Sequence, residues 1–159
     1  MTGNATSILP KDKPQIISTR VLNATAELVW KMLSSPDHLK HFWGPDGFTN
    51  TFKTFNFRGD GESRFTMHGP DGTNYPNRII YRELDAPRYI RWDDDNGGEG
   101  DWDHKFVGEI ELFEEGDKTR IELRVNEPSM EARDNIAKYA VEGGKQNLDR
   151  LAAYLTTQA

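Results

Sequence analysis

TRIELRV at residues 119–125 and SMEARDNIAKYAVEGGKQNLDRLAAYL at residues 129–155 are only three residues apart, yet they run on different periods. In the first, Ile121, Leu123 and Val125 alternate with Arg120, Glu122 and Arg124, the period-two pattern of a strand with one buried face. In the second, Ile136, Tyr139, Ala140, Gly143, Leu148, Leu151 and Leu155 fall on one stripe at helical spacing. Pro128-Ser129 starts this helix, and Glu131 sets a negative charge in its first turn, where the helix dipole favours it. At about 1.5 Å per residue such a helix is about 40 Å long. Gly143-Gly144 sits near its middle. Each glycine costs about 1 kcal/mol relative to alanine, so either a contact offsets the cost or the helix bends there.

Outward from this junction, the period-two pattern extends back to Phe48. Strands are predicted over 51–57, 62–68, 78–84, 89–92 and 105–113, with turns at Gly69-Pro70-Asp71-Gly72, Asp85-Ala86-Pro87 and Glu114-Glu115-Gly116-Asp117. An acidic, glycine-rich loop covers 93–103. Farther upstream, Gln15 to Leu22 reads as a strand. Ala24 to Leu33 reads as a helix with Leu28, Val29, Met32 and Leu33 on one face and Asn23 or Thr25 as its cap. Ser35-Pro36-Asp37 opens a second short helix, which Gly44-Pro45 stops. The order is strand, two short helices, a run of antiparallel strands, long helix. This is an α+β chain, and a single helix cannot cover both faces of its sheet. The expected solution is a curved antiparallel sheet of about six strands wrapped on the C-terminal helix. Residues 1–14 are expected to be a flexible tail and 15–157 a single domain. A curved sheet gripping a helix leaves a space between them where small apolar ligands bind.

The chain has 159 residues, with 20 Lys and Arg against 26 Asp and Glu, for a net charge of −6. That balance weighs against nucleic acid as a partner, because phosphate binding needs clustered cations. Only 35% of residues are apolar, but aromatics reach 11%, so the core must be built largely of rings. The absence of cysteine removes disulfides, thiolate metal sites and a cysteine nucleophile. No apolar run approaches the roughly 18–20 residues of a membrane span. The polar first 14 residues lack the apolar core of a signal peptide, so a cytoplasmic location is expected.

Several stretches resemble the Aha-type family. They are Val29-Trp30-Lys31-Met32-Leu33, Pro36-Asp37-His38-Leu39, Phe42-Trp43-Gly44-Pro45, His68-Gly69-Pro70-Asp71-Gly72, Tyr75-Pro76-Asn77-Arg78, Thr119-Arg120 and Leu148-Asp149-Arg150-Leu151. In order along the chain, they are similar to domains related to the C-terminal half of the activator of the heat-shock protein 90 ATPase. That family lies in the START-like (SRPBCC, Bet v 1 type) helix-grip superfamily. The resemblance implies a sheet of about six strands gripping the last helix, with no shared catalytic motif. It also implies ligand binding of the kind some superfamily relatives show, for lipids, hormones or polyketides. Where many members carry Gly-Trp in the last helix, this chain has Gly143-Gly144, which should enlarge the cavity or leave a groove.

Nucleophilic catalysis has no Gly-x-Ser-x-Gly elbow to use. Gly144-Lys145 sits inside a helix, and Gly98-Glu99-Gly100 lacks the third glycine, so neither nucleotide loop fits. The acidic loop from Asp93 has a glycine at the sixth position of a calcium loop but His104 at the twelfth, so it competes with a plain solvated hairpin. His38 and His41 could share a metal with Asp37 or simply sit on an exposed helix, and His68 closes a strand. No metal and no cofactor are assigned. The aromatic set says more. Trp43, Phe55, Phe57, Phe65, Met67, Trp92 and Phe106 lie on or beside strands, and Tyr139 and Gly143 lie on the last helix. Core filling explains any one of them. Together they suggest a ligand cavity whose polar members would be Ser63, Tyr81 and Asn147. Glu83 shares the parity of Ile79 and Tyr81 and would be the acid or base if chemistry occurs there, with His104 as the other candidate. The expected function is a small-molecule binding module for an apolar or amphipathic ligand. The alternatives are a protein-interaction domain resembling the chaperone activator, or a cofactor-free cyclase- or dehydratase-like enzyme. The chain is expected to be a monomer or homodimer.

Overall fold

The computed structural model describes residues 4–99 and 104–158. In chain order the elements are β1 (Thr6–Ile8), β2 (Gln15–Leu22), α1 (Ala26–Leu33), α2 (Pro36–Phe42), β3 (Thr49–Phe55), β4 (Glu62–His68), β5 (Asn74–Asp85), β6 (Tyr89–Asp95), β7 (Phe106–Glu115), β8 (Lys118–Asn126) and α3 (Met130–Leu155). All eight strands form one open antiparallel sheet in the order β1-β2-β8-β7-β6-β5-β4-β3. The expected sheet of about six strands is therefore too small, and the two short helices follow the second strand rather than the first. The added strand is β1, in the segment read as a loose tail. Its sequence has no alternation to announce it, because tertiary contacts hold it. The Ala5 N–H donates to Asp149 Oδ1 at 2.9 Å, and Ser7 Oγ lies 2.7 Å from Ser18 Oγ and donates to the Val141 carbonyl at 3.1 Å. Buried Arg133 of α3 then donates to the Pro10 and Lys13 carbonyls.

Strand parity puts all three helices on one face. In β2, Ile16, Ser18 and Leu22 are buried. Ser18 meets α3, Arg20 pairs with Asp149 of α3, and Leu22 joins the core that α1 closes with Val29, Met32 and Leu33. In β8, Thr119, Ile121 and Leu123 point into that core. The alternate residues carry the solvent face, where Arg124 bridges Glu109, Glu111 and Glu122. The helix caps follow the sequence. Thr25 Oγ1 accepts from the Leu28 N–H at 3.2 Å, and Ser129 Oγ accepts from the Ala132 N–H at 3.0 Å.

The glycine pair does not break α3. A Cβ on Gly144 would lie 2.3 Å from Ser18 Oγ, so this glycine lets the helix backbone settle onto β2. A Cβ on Gly143 would stand 3.3 Å from Pro45 Cγ. The contact against β2 offsets the conformational cost, and the helix runs on without a stop.

Candidate functional site

The helix-covered face of the sheet has two ends. At one, α1, α2 and Trp43 close over β3 to β7. Only a small apolar void of about 40 Å³ remains there, lined by Leu33, Leu39, Trp43, Phe52, Phe57, Phe65, Ile79, Tyr81, Ile90, Trp92 and Ile110. Its rings interlock. Phe52 stacks on Phe65 at 4.8 Å, and Phe57 meets Tyr81 edge-on at 5.0 Å. Ser63 is fully buried, and its hydroxyl lies 2.9 Å from the Tyr81 hydroxyl. Burial pushes the Tyr81 phenol up to about 12. Phe55 lines neither space; it packs half-buried against Phe52 and Phe57.

At the other end the N-terminal half of α3 stands off the sheet. Between them lies a groove of about 380 Å³. Met67, Phe106, Leu123 and Val125 form its floor, and Ile136, Tyr139, Ala140, Gly143 and Asn147 form its helical wall. Pro45 and Phe48, from the loop after α2, close one side. Tyr139 is 70% exposed and stands at the mouth. Trp43 and Trp92 border both spaces and meet edge-on at 6.2 Å, so this pair divides the packed end from the open one. The expected site residues thus part company. Phe57, Ser63, Phe65 and Tyr81 belong to the packed end, whereas Met67, Phe106, Tyr139, Gly143 and Asn147 line the groove.

Polar anchors on α3 hold the loop that carries Trp43. The Arg150 guanidinium donates to the carbonyls of Trp43, Gly44 and Pro45 at 3.2, 3.0 and 2.8 Å, and to those of His41 and Phe48 at 3.2 and 2.9 Å. Partial burial lowers its pKa, and Asp46 acts against that. Asn147 Oδ1 accepts from the Gly44 N–H at 3.2 Å, and Gln146 Oε1 accepts from the Asp46 N–H at 3.0 Å.

The polar group that sequence reasoning missed is Asp94. Ile90, Trp92 and Asp94 of β6 are all buried on the inner face, and Asp94 lines the groove. Asp94 Oδ2 accepts from Trp92 Nε1–H at 3.3 Å, while Oδ1 has no partner. Burial holds the carboxyl well above the ordinary carboxylate range; the Trp92 hydrogen bond lowers it and the neighbouring Asp95 adds to the rise. Two signals were available. One is the Ile90-Trp92-Asp94 alternation. The other is Gly108, opposite Trp92 on β7, where a Cβ would strike the indole at 2.2 Å. A glycine inside a strand marks such a close approach.

Glu83 does not share the inward parity of Tyr81. The β5–β6 register shifts between Tyr81 and Glu83, so Arg82 is an extra residue and Glu83 turns to solvent on the outer face. His104 does border the groove, and its Nε2 lies 2.8 Å from the buried Glu127 carboxylate. His38 and His41 flank Tyr154, through a 2.7 Å contact to its hydroxyl and a stacked ring respectively. His68 bridges Thr51 and Asn74. In the acidic stretch Asp93 pairs with Arg82 and Asp95 with Arg78; residues 100–103 of that loop lie outside the described residues. Among the described residues no three His, Asp or Glu side chains are grouped as a metal site needs, and no helix is long and apolar enough to cross a membrane.

The family model described as Activator of Hsp90 ATPase homolog 1-like protein matches residues 23–156, most of the chain. The chain belongs to that family. Among curated proteins none matches it. Solved structures share the helix-grip fold of this Activator of Hsp90 ATPase homolog 1-like chain at low identity. The crystal structure of protein Ms6760 from Mycobacterium smegmatis is 21% identical, with a TM-score of 0.83 over 94% of each chain. The solution structure of a protein from Arthrobacter aurescens is 22% identical, with a TM-score of 0.86 over 96% of this chain and 91% of that one. The AHSA1 protein from Silicibacter pomeroyi is 18% identical, with a TM-score of 0.76 over 91% and 99%. Every groove residue lies inside the family match, whereas β1 and β2, which dock α3, precede it.

Proposed function

We propose that this Activator of Hsp90 ATPase homolog 1-like domain binds an apolar or amphipathic small molecule in the groove between the sheet and the N-terminal half of α3. The carrying observation is the groove itself: about 380 Å³, lined mainly by apolar side chains, on a face that is otherwise packed. Small-molecule sites occupy roughly 300–1,000 Å³ and combine an apolar wall with a few placed polar groups. Covering about 200 Å² of ligand surface would contribute about 5 kcal/mol before the cost of association. The test is a thermal-shift panel of lipids and polyketide-like compounds on the wild type and on Ala140→Trp, which fills the groove. The expected result is stabilisation of the wild type that the variant loses. No stabilisation across the panel removes the reading.

The family description supports a second reading, a protein-interaction role toward an Hsp90-type ATPase. A pull-down with that chaperone and an ATPase assay separate the two, because a groove-filling Ala140→Trp leaves a surface interaction intact.

A further inference from the structure

The groove has one polar feature that packing does not explain. Asp94 is 94% buried by its 6% exposure, and its Oδ1 has no partner. An unsatisfied buried polar atom is a standing cost. Among the described residues no lysine or arginine lines the groove, so no permanent cation there compensates a buried negative charge. The indole N–H of Trp92 already donates to Oδ2, which assigns Oδ2 as the carbonyl-type oxygen and leaves the acid proton on Oδ1. Gly108 fixes this arrangement, since its missing side chain lets the Trp92 ring lie across β7. The neutral carboxyl is therefore a hydrogen-bond donor in the apolar wall that is closed to water in the free protein, and a ligand reaches it by a turn of the carboxyl toward the groove.

We infer that Asp94 is a ligand-recognition residue: its Oδ1–H donates to an acceptor oxygen, such as a carbonyl, on an otherwise apolar ligand held in the groove. The inference rests on the groove being the binding site and adds the polar group its ligand must carry. A neutral donor selects an acceptor over a hydrocarbon, because only the acceptor satisfies the buried hydroxyl. It also selects against an ammonium group, which needs the carboxylate ionised.

The experiment uses three probes of one shape in equilibrium dialysis: 2-acetylnaphthalene, 2-ethylnaphthalene and 1-(2-naphthyl)ethylamine. The wild type is expected to bind the ketone at least about fivefold more tightly than the hydrocarbon. Asp94→Asn, which keeps a neutral donor, should retain that preference, and Asp94→Leu should lose it while still binding 2-ethylnaphthalene. Equal binding of ketone and hydrocarbon by the wild type overturns the role of Asp94 and leaves the groove reading standing. Tightest binding of the amine overturns it in favour of an ionised carboxylate. Binding of none of the three by any variant overturns both.

The charge state is read separately from unfolding against pH. Among the described residues Asp95, Tyr75, Tyr81, His104 and Glu127 are the other titratable groups around Asp94, and Asp94→Asn leaves all of them in place. A carboxyl whose folded pKa is raised contributes stability below its unfolded value, near about 4. That contribution is lost as pH rises through the folded value. Wild-type stability should thus fall relative to Asp94→Asn as pH rises above about 4. A constant difference from pH 5 upward would mean an ionised Asp94 and would overturn the donor assignment.

Discussion

The packed and open ends of the helix-covered face use the same sheet, many of the same ring types and the same helix, yet one holds about 40 Å³ of space and the other about 380 Å³. The difference lies in what covers the sheet. Leu33 of α1 and Leu39 of α2 line the void at the packed end, and α3 adds Leu148, Leu151 and Leu155 of its C-terminal half to the same core. Its N-terminal half presents Ile136, Ala140 and Gly143, none of them fully buried, with Tyr139 largely in solvent. A void persists where the covering side chains are too small to reach the floor. Substitutions at the two ends should therefore have unlike costs.

The largest effect is expected at the packed end. Phe42 is 1% exposed and touches Tyr154 with a ring separation of 5.7 Å. Phe42→Ala should lose about 3–5 kcal/mol in urea unfolding, since the removed ring leaves a cavity that interlocked neighbours cannot fill. A loss below about 1 kcal/mol would mean that the packed end is not rigid. Arg150→Ala comes next. It strips a charged donor from five carbonyls of residues 41–48, and should cost about 2 kcal/mol. Hydrogen exchange should rise over residues 43–48, unpinning Trp43 and merging the two ends. Arg150→Lys should rescue only part of this, because an ammonium lacks the guanidinium fork.

The glycine pair sharpens the comparison within one turn of helix. Gly144→Ala drives a Cβ to 2.3 Å from Ser18 Oγ, so overpacking of about 1–3 kcal/mol should outweigh the gain in helix propensity. Gly143→Ala meets only Pro45 Cγ at 3.3 Å on the groove side, and should change stability by less than about 1 kcal/mol. Thermal unfolding of both variants checks the order, and an equal cost at the two positions would contradict the separation of docking side from groove side.

The framework of this face could be read from the chain before any coordinates, but its division into two ends could not, because the sequence pattern sets all the candidate residues in one cavity. The alternation of Ile121, Leu123 and Val125 and the stripe ending at Leu155 specify the strand, the helix and the packing between them, because periodicity reports burial directly. Parity sets Met67 inward with Phe65, yet Met67 lines the groove and Phe65 the packed end, so parity gives the face and not the end. What escaped had no periodic trace, broke the period or was masked by its neighbours. β1 is fixed by single hydrogen bonds from Ala5 and Ser7 to α3, and Arg133 of α3 ties down the segment that follows. Glu83 was misplaced by one bulged residue, Arg82, which reverses every later side chain of β5. Asp94 was hidden by its neighbours, because Asp93 and Asp95 pair with arginines outside and make the run look like one solvated patch.

The smallest stability effect belongs to the groove mouth. Tyr139 is 70% exposed, so Tyr139→Ala should shift unfolding by no more than about 0.5 kcal/mol, as surface substitutions do. Its consequence for binding should be larger than its consequence for folding. The ring borders the opening beside Ala140 and Gly143, where a ligand covered by the floor residues would still show one face to water. Removing it should weaken binding of a naphthalene probe severalfold while the unfolding curve stays in place. The opposite split, a destabilised protein with unchanged binding, would mean that the ring belongs to the packing of α3 and that the open end is smaller than its walls suggest.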